Sequence, residues 1–257
     1  MKRSDRRKRR RFLARAFGLA GAGMLAGCDR LSQTSWVPSV LGAADHLSEG
    51  AAKLVARKAM AQEFAPADRS PTFRSNGTAD PGTEDYQALV DDGFASYRLV
   101  VDGLVAHPRQ WTLDELRAMP SRSQITRHDC VEGWSAIGQW KGARLSAILA
   151  AVQPKPEARY VVFHCADPME ADGTDLYYES IDFDDAYHEQ TILAYELNGA
   201  ALPVANGAPL RLRVERQLGY KHAKYVMRLE LVQSFAAIGE GKGGYWEDQG
   251  YQWYAGI

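Results

Sequence analysis

The sequence predicts an α+β domain built on mixed β-sheets with short helices. Three observations lead there. Short β-rich runs outnumber short helical ones, one run (210–215) alternates strictly between apolar and charged residues, and Asp-Gly and Asn-Gly pairs punctuate the runs. Of the 257 residues, about 230 follow a leader segment, enough for one large domain with its own core. No internal repeat is visible.

The leader comes first. Eight of the first eleven residues are basic, and the apolar run over 16–26 is too short to span a bilayer permanently. Arg9-Arg10-Arg11-Phe12-Leu13 resembles a twin-arginine export signal, which carries proteins folded before they cross. Leu25-Ala26-Gly27-Cys28 resembles a lipobox, in which Cys28 is lipidated and becomes the first residue of the mature chain. Asp29 then resembles an inner-membrane retention signal. The alternative is an ordinary signal cleaved near Ala26, releasing a soluble protein. The expectation is a periplasmic domain, exported by the twin-arginine route and lipid-anchored to the inner membrane.

Removing 1–27 takes away nine of 31 Lys and Arg and one of 32 Asp and Glu, leaving 22 against 31, a formal charge of −9. An acidic body argues against a nucleic-acid partner and against broad adhesion to anionic lipid.

Residues 28–75 read as a tether and lead-in, with one short helix near 49–64, and 76–235 as the main domain. Tyr97-Arg98-Leu99-Val100-Val101-Asp102-Gly103-Leu104-Val105 reads as two β-runs joined at Asp-Gly, a hairpin signal. Thr112-Leu113-Asp114-Glu115 is a capping box for a short helix to Met119 that Pro120 ends. Residues 145–152 look helical and 160–164 form a buried-strand run. Asp182 is placed to cap a short helix over 184–188. Residues 192–197, Asn198-Gly199 and 200–204 repeat the hairpin pattern. In Leu210-Arg211-Leu212-Arg213-Val214-Glu215 the three charged residues share one strand face, and 225–232 is a further strand. The segment 236–257 is an aromatic-rich C-terminal tail that reads as a packing element or a docking surface.

With Cys28 assigned to the anchor, Cys130 and Cys165 remain. In an oxidising compartment a disulfide is the simplest pairing. Against it, Cys165 closes a Val-Val-Phe strand while Cys130 lies in polar Thr126-Arg127-His128-Asp129-Cys130-Val131-Glu132-Gly133-Trp134-Ser135. The spacing resembles no zinc site, and no GxSxG, P-loop or Rossmann glycine pattern occurs. A Cys-His hydrolase using His128 or His164 as base faces thiol oxidation outside the cytoplasm. Folded export instead suits a cofactor inserted before translocation, and a thiolate ligand to a soft transition metal fits that route.

Three blocks carry a family resemblance: residues 127–135, Asn206-Gly207-Ala208-Pro209-Leu210-Arg211, and Gly219-Tyr220-Lys221-His222-Ala223-Lys224. They resemble the sulfite-oxidase-type molybdopterin-dependent oxidoreductase family, which includes periplasmic methionine-sulfoxide reductase subunits. The likeness implies the family's molybdopterin-binding fold and a molybdenum–molybdopterin cofactor with one pyranopterin, to which Cys130 is the protein ligand. It implies that Asn206 and Arg211 bind the pterin and that Gly219, Tyr220 and Lys221 sit at its phosphate, with Lys224 close by. A glycine that lets backbone N–H groups approach, beside a cation, suits a phosphate. The likeness also places Asn76 near the metal and Cys165 where relatives have Thr at a pterin-contacting strand end. His128, two residues before Cys130, is expected near the pocket in a catalytic or hydrogen-bonding role. Tyr177-Tyr178-Glu179-Ser180 is expected at the entrance or on an edge.

No haem-binding stretch is present, so the resemblance implies electron exchange with a separate protein, a membrane b-type cytochrome or a periplasmic cytochrome c. The chain ends short of the family's extra dimerisation domain, which implies a monomer. The expected activity is oxygen-atom transfer on a sulfite-like or sulfoxide-like substrate, direction open. The competing hypotheses are a cofactor-free periplasmic lipoprotein acting as a binding or assembly module through its tail, and a thiol hydrolase.

Overall fold

In a computed structural model of the chain, the described residues are Thr34, Gly50, 59–170, 173 and 175–257. The residues read as an export signal, Cys28 and most of the expected 49–64 helix lie outside them. The chain divides into two units between Ala56 and Arg57, and the second unit holds both sheets.

The described end of that expected helix, 59–64, is not helical. Phe64 N–H donates to Ile125 O at 2.9 Å and Glu63 bridges Thr126, so the segment pairs with a strand edge. Covering an open edge satisfies backbone groups that a short isolated helix would have to satisfy alone.

Among the described residues ten strands form two sheets: β1 (Leu99–Gly103), β2 (Arg109–Trp111), β3 (Ser121–Cys130), β4 (Trp134–Arg144), β5 (Tyr160–Pro168), β6 (Leu176–Asp182), β7 (Ile192–Leu197), β8 (Ala200–Ala201), β9 (Arg211–Arg213) and β10 (Val226–Val232). One sheet has the order β2-β1-β10-β5-β6; the other runs β3-β4-β7-β8, with β9 also on β7. β1 and β10 pair parallel and the other pairs are antiparallel, so the first sheet is mixed, as expected, and the second is antiparallel throughout. The α-helices among the described residues are short: α1 (Glu84–Asp91), α2 (Leu113–Ala118), α3 (Leu145–Val152), α4 (Phe183–Ala186) and α5 (Tyr245–Asp248). None of the described helices is long and apolar enough to cross a membrane.

Local signals account for much of this. Thr112 and Glu115 form both arms of the capping box on α2. α3 buries Leu145, Ile148, Leu149 and Val152, which lie on one face at helical spacing. Asp182 caps α4 by accepting from Asp185 N–H. Asn198 and Gly199, with φ of 53° and 83°, make the turn between β7 and β8.

The Asp102-Gly103 hairpin does not form. Gly103 (φ 82°) ends β1 alongside β10, so close that a Cβ there would sit 2.4 Å from Leu231 O. The glycine serves close backbone approach to a strand over a hundred residues away, and β1 pairs antiparallel with β2 instead.

The main core lies where α2, α3 and the inner face of the second sheet meet the first sheet, joining Leu99, Trp111, Leu116, Ile148, Phe163 and Leu193. On the other face of the second sheet Trp140, Ile192, Ala194 and Leu202 pack with Phe73. That second face leads to the end of β3, where Cys130 lies.

Candidate active site

β3 alternates along its length. Gln124, Thr126 and His128 are buried on one face, and Cys130, the strand's last residue, follows them half-buried. Val131, Glu132 and Gly133 then turn the chain into β4, with Gly133 at φ 85° and its N–H donating to Cys130 O at 3.0 Å. Part of the Cys-Val-Glu-Gly-Trp block is therefore turn chemistry. Trp134 is tied to the turn through Nε1–H donation to Glu132 at 2.9 Å. Cys130 and Cys165 are both free thiols, so the disulfide is absent. Burial, then the Glu132 charge, raises the Cys130 pKa, while Arg211 and Arg74 pull it down. Cys165 is buried in the core, where desolvation drives its pKa far up, as befits a packed thiol.

The second block brings two arginines inward. Arg211 and Arg213 are wholly buried on β9, with their guanidinium carbons 5.4 and 4.4 Å from the Trp140 ring centroid. The strand expected over 210–215 is shorter, ending at Arg213; Arg211 and Arg213 share an interior face, and Glu215 lies in the turn that follows. Arg213 is neutralised by Glu215, donating to it at 2.9 Å through Nε, and its Nη1 lies 3.0 Å from His128 Nδ1. Arg211 has no carboxylate partner among the described residues. It donates to Asn206 O at 3.2 Å and to Asn76 Oδ1 at 3.1 Å, and its Nε finds no partner among the described residues. Burial and then Arg213 lower its pKa to about 9.

The third block meets the first. Gly219 packs so tightly on β3 that a Cβ would lie 2.6 Å from His128 Nε2 and 3.0 Å from Asp129 O. Lys224 reaches back to the Asn76 loop, donating to Asn76 O at 2.7 Å and to Thr78 O. Burial and then Arg211 depress Lys224 to about 7. Two cations thus hold the 76–78 loop against the second and third blocks.

These elements surround a cleft of about 180 Å³ that opens to solvent. Cys130, Asn76, Gly219, Tyr220 and Lys224 line it. Asn206 and Arg211 stand behind that lining; Asn206 Nδ2 has no partner among the described residues. His128 is also behind the lining, 1% exposed and tilted against Phe73 and Trp134. Burial and the nearby Arg211, Arg213 and Lys224 charges hold it far below the usual histidine range, so it is a neutral packing and hydrogen-bonding partner.

Lys221 requires a correction. Its ammonium does not face the cleft: it is 1% exposed and bound to Glu179 and, at 2.6 Å, to Glu247. Those two carboxylates come from β6 and α5, far away in sequence, and nothing local announced them.

Other residues line the cleft that sequence reading did not single out. Asp167 and His222 are buried there, each with one ring or carboxyl atom unpartnered among the described residues, and desolvation raises Asp167 to about 7. Tyr177 lines it too; Tyr178, Glu179 and Ser180 do not, and β6, which carries all four, is an edge strand. Trp246 and Tyr251 of the tail complete the wall. His222 was legible inside the third block; Asp167 had no local signal.

The fold and this site define an oxidoreductase with a molybdopterin-binding domain. The model of the oxidoreductase molybdopterin binding domain family matches residues 87–236, and the chain belongs to that family, as the three blocks had indicated. Among named relatives, it is 38% identical over 254 residues to the putative protein-methionine-sulfoxide reductase subunit YedZ1 of Azospira oryzae, covering 96% of this chain and 87% of that protein. It is 36% identical over 144 residues to the protein-methionine-sulfoxide reductase catalytic subunit MsrP of Ralstonia nicotianae, covering 53% of this chain and 44% of the relative. The MsrP of Xanthomonas axonopodis gives 38% over 141 residues, 52% of this chain and 44% of the relative. The chain thus spans less than half the length of the two MsrP proteins. A solved structure, the sulfane dehydrogenase SoxCD from Paracoccus pantotrophus, aligns with a TM-score of 0.48 and 24% identity over 55% of this chain and 39% of that one.

The residues present fit such a cofactor. A molybdopterin is anionic, with dithiolene sulfurs and a phosphate, and the cleft offers a free thiol with the buried guanidinium of Arg211 behind it, which has no carboxylate partner among the described residues. Leaving a guanidinium buried without a counter-ion, beside unpartnered donors of Asn206 and Arg211, costs several kcal/mol, on the order expected of a site shaped for an anionic polar group.

Proposed function

We propose that the chain is the catalytic subunit of a periplasmic molybdenum enzyme that moves an oxygen atom on an organic sulfur substrate in the sulfoxide-reducing direction. The observation that carries this is the free, half-buried Cys130 thiol opening into a cleft backed by the uncompensated Arg211. The names of the relatives support the direction, and so does the cleft. Sulfite is a dianion that calls for converging cations, yet Arg127 pairs with Asp129, Arg213 with Glu215 and Arg216 with Asp185, and none of the three lines the cleft.

Within this reading Cys130 is the protein's ligand to the metal. Arg211 and Lys224 offset the cofactor's negative charge, and Asn206 and the backbone around Gly219 supply polar contacts. When bound, the cofactor supplies two-electron oxygen-atom exchange; the chain supplies geometry, charge balance and access. Lys224, clamped to the 76–78 loop, holds Asn76 at the rim, and buried Asp167 and His222 are two of the ionisable groups that line the cleft. Electrons come from a separate b-type cytochrome or cytochrome c, and Cys28 tethers the domain to the inner membrane after twin-arginine export.

Purified mature protein should contain stoichiometric molybdenum, and methionine sulfoxide should reoxidise the reduced enzyme in stopped flow faster than sulfite reduces the oxidised one. Cys130→Ser should keep the pterin and lose turnover, with X-ray absorption showing one metal–sulfur bond fewer. Full activity in that variant refutes the ligand assignment.

A further inference from the structure

The cleft has two kinds of wall, and two residues of one of them, Trp246 and Tyr251, lie C-terminal to the residues matched by the family model. Cys130, Asn76, Lys224 and Asp167 make a polar set. A second set is aromatic and contiguous. Trp246 and Tyr251 stack at 5.4 Å with 28° between their planes, and Tyr251 meets Tyr220 edge-on at 5.2 Å. Trp246 and Tyr251 belong to the C-terminal segment, and Tyr251 remains 42% exposed at the mouth of the cleft.

This aromatic wall is held rigidly. Glu247 of α5 is 1% exposed and bound to Lys221. Gly244 passes so close that a Cβ would meet Glu247 Oε2 at 2.2 Å and Glu179 Oε1 at 2.8 Å. Tyr220 O–H donates to Gln252 O at 2.6 Å, and Ala255 N–H donates to Gln217 Oε1 at 2.8 Å. A surface tail with no further role would not need a buried Glu-Lys-Glu cluster to fix its orientation, since such a cluster is costly to bury. A wall whose rings must stand ready beside a reacting centre would.

We propose that Trp246 and Tyr251 form the subsite for the organic group attached to the substrate's sulfur, and that Lys221 is the positioning residue that holds this wall in place. The inference rests on the sulfoxide-reducing function proposed above. It assigns the substrate class: a sulfoxide flanked by an apolar or aromatic group, in preference to a small one. Stacked rings bind such groups through dispersion and quadrupole contacts, each worth roughly 2- to 10-fold in affinity.

The test compares holoenzyme variants on methyl phenyl sulfoxide and dimethyl sulfoxide, reading the ratio of their kcat/KM values. Trp246→Ala should lower the ratio about 3- to 10-fold, chiefly through KM, and Trp246→Phe should recover most of it. Tyr251→Ala, at an exposed position, gives the same readout if Trp246→Ala fails to fold. An unchanged ratio in variants of an enzyme that turns over both sulfoxides overturns the subsite alone. A wild-type holoenzyme that reduces neither overturns the proposed function, and the subsite with it.

Discussion

Replacing Arg211 with methionine should separate a cofactor-binding role from a structural one. The guanidinium is wholly buried, lies over Trp140 and donates only to Asn206 O and Asn76 Oδ1 among the described residues. Burial and Arg213 lower its pKa from 12.5 to about 9, which at about 1.36 kcal/mol per unit is on the order of 5 kcal/mol against the charged form. The two hydrogen bonds that methionine gives up are worth about 1.5 to 3 kcal/mol each. The two effects nearly cancel, so cofactor-free protein, made in a host unable to synthesise the pterin, should unfold in urea within about 2 kcal/mol of the wild type. The loaded protein should behave differently. Losing a buried cation beside an anionic group costs about 2 to 5 kcal/mol, so cofactor retention should weaken by roughly 30-fold or more. Molybdenum content after extended dialysis, read by mass spectrometry, reports it. If the cofactor-free variant loses much more stability than this while its folded fraction keeps full molybdenum, Arg211 is structural and the charge argument fails.

Three further outcomes are expected from the same geometry. Gly219→Ala should cost about 1 to 3 kcal/mol in urea unfolding, because the added methyl lands 2.6 Å from the His128 ring in a packed site; an unperturbed midpoint contradicts the close approach. Lys221→Met strands Glu179 and Glu247 and should cost about 3 to 5 kcal/mol, whereas a lysine bound to the cofactor's phosphate would instead lower molybdenum content at constant stability. Asp167 has a folded pKa of about 7 against 3.8 unfolded, so the stability tied to its protonated form is complete below about pH 4 and is lost as pH rises through about 7. Asp167→Asn should therefore gain on the wild type between pH 5 and 8, by at most about 4 kcal/mol, and a pH-independent gap in melting temperature contradicts the assignment.

Residues close in sequence were legible where the signal and its consequence lie within a few positions. The capping box at Thr112, the α3 face, the Asn198-Gly199 turn and, over Arg211–Arg213, part of the strand read at 210–215 appear in the structure. The three family blocks were legible for another reason: ligand chemistry constrains residue type, so their pattern survives without any knowledge of the fold. The Asp102-Gly103 pair misled because an Asp-Gly turn and a close strand approach both ask for a glycine at positive φ.

By itself the sequence determined the α+β class, most short elements and the family to which the domain belongs, since periodicity, caps and ligand motifs are local codes. Only the tertiary structure decided what the charges do. Arg211 and Arg213 became interior, Lys221 was drawn to two carboxylates 42 and 26 residues away, and tail aromatics became a cleft wall. Burial and pairing depend on which distant segments converge, and removing water from a charge changes its energy far more than any neighbour along the chain can.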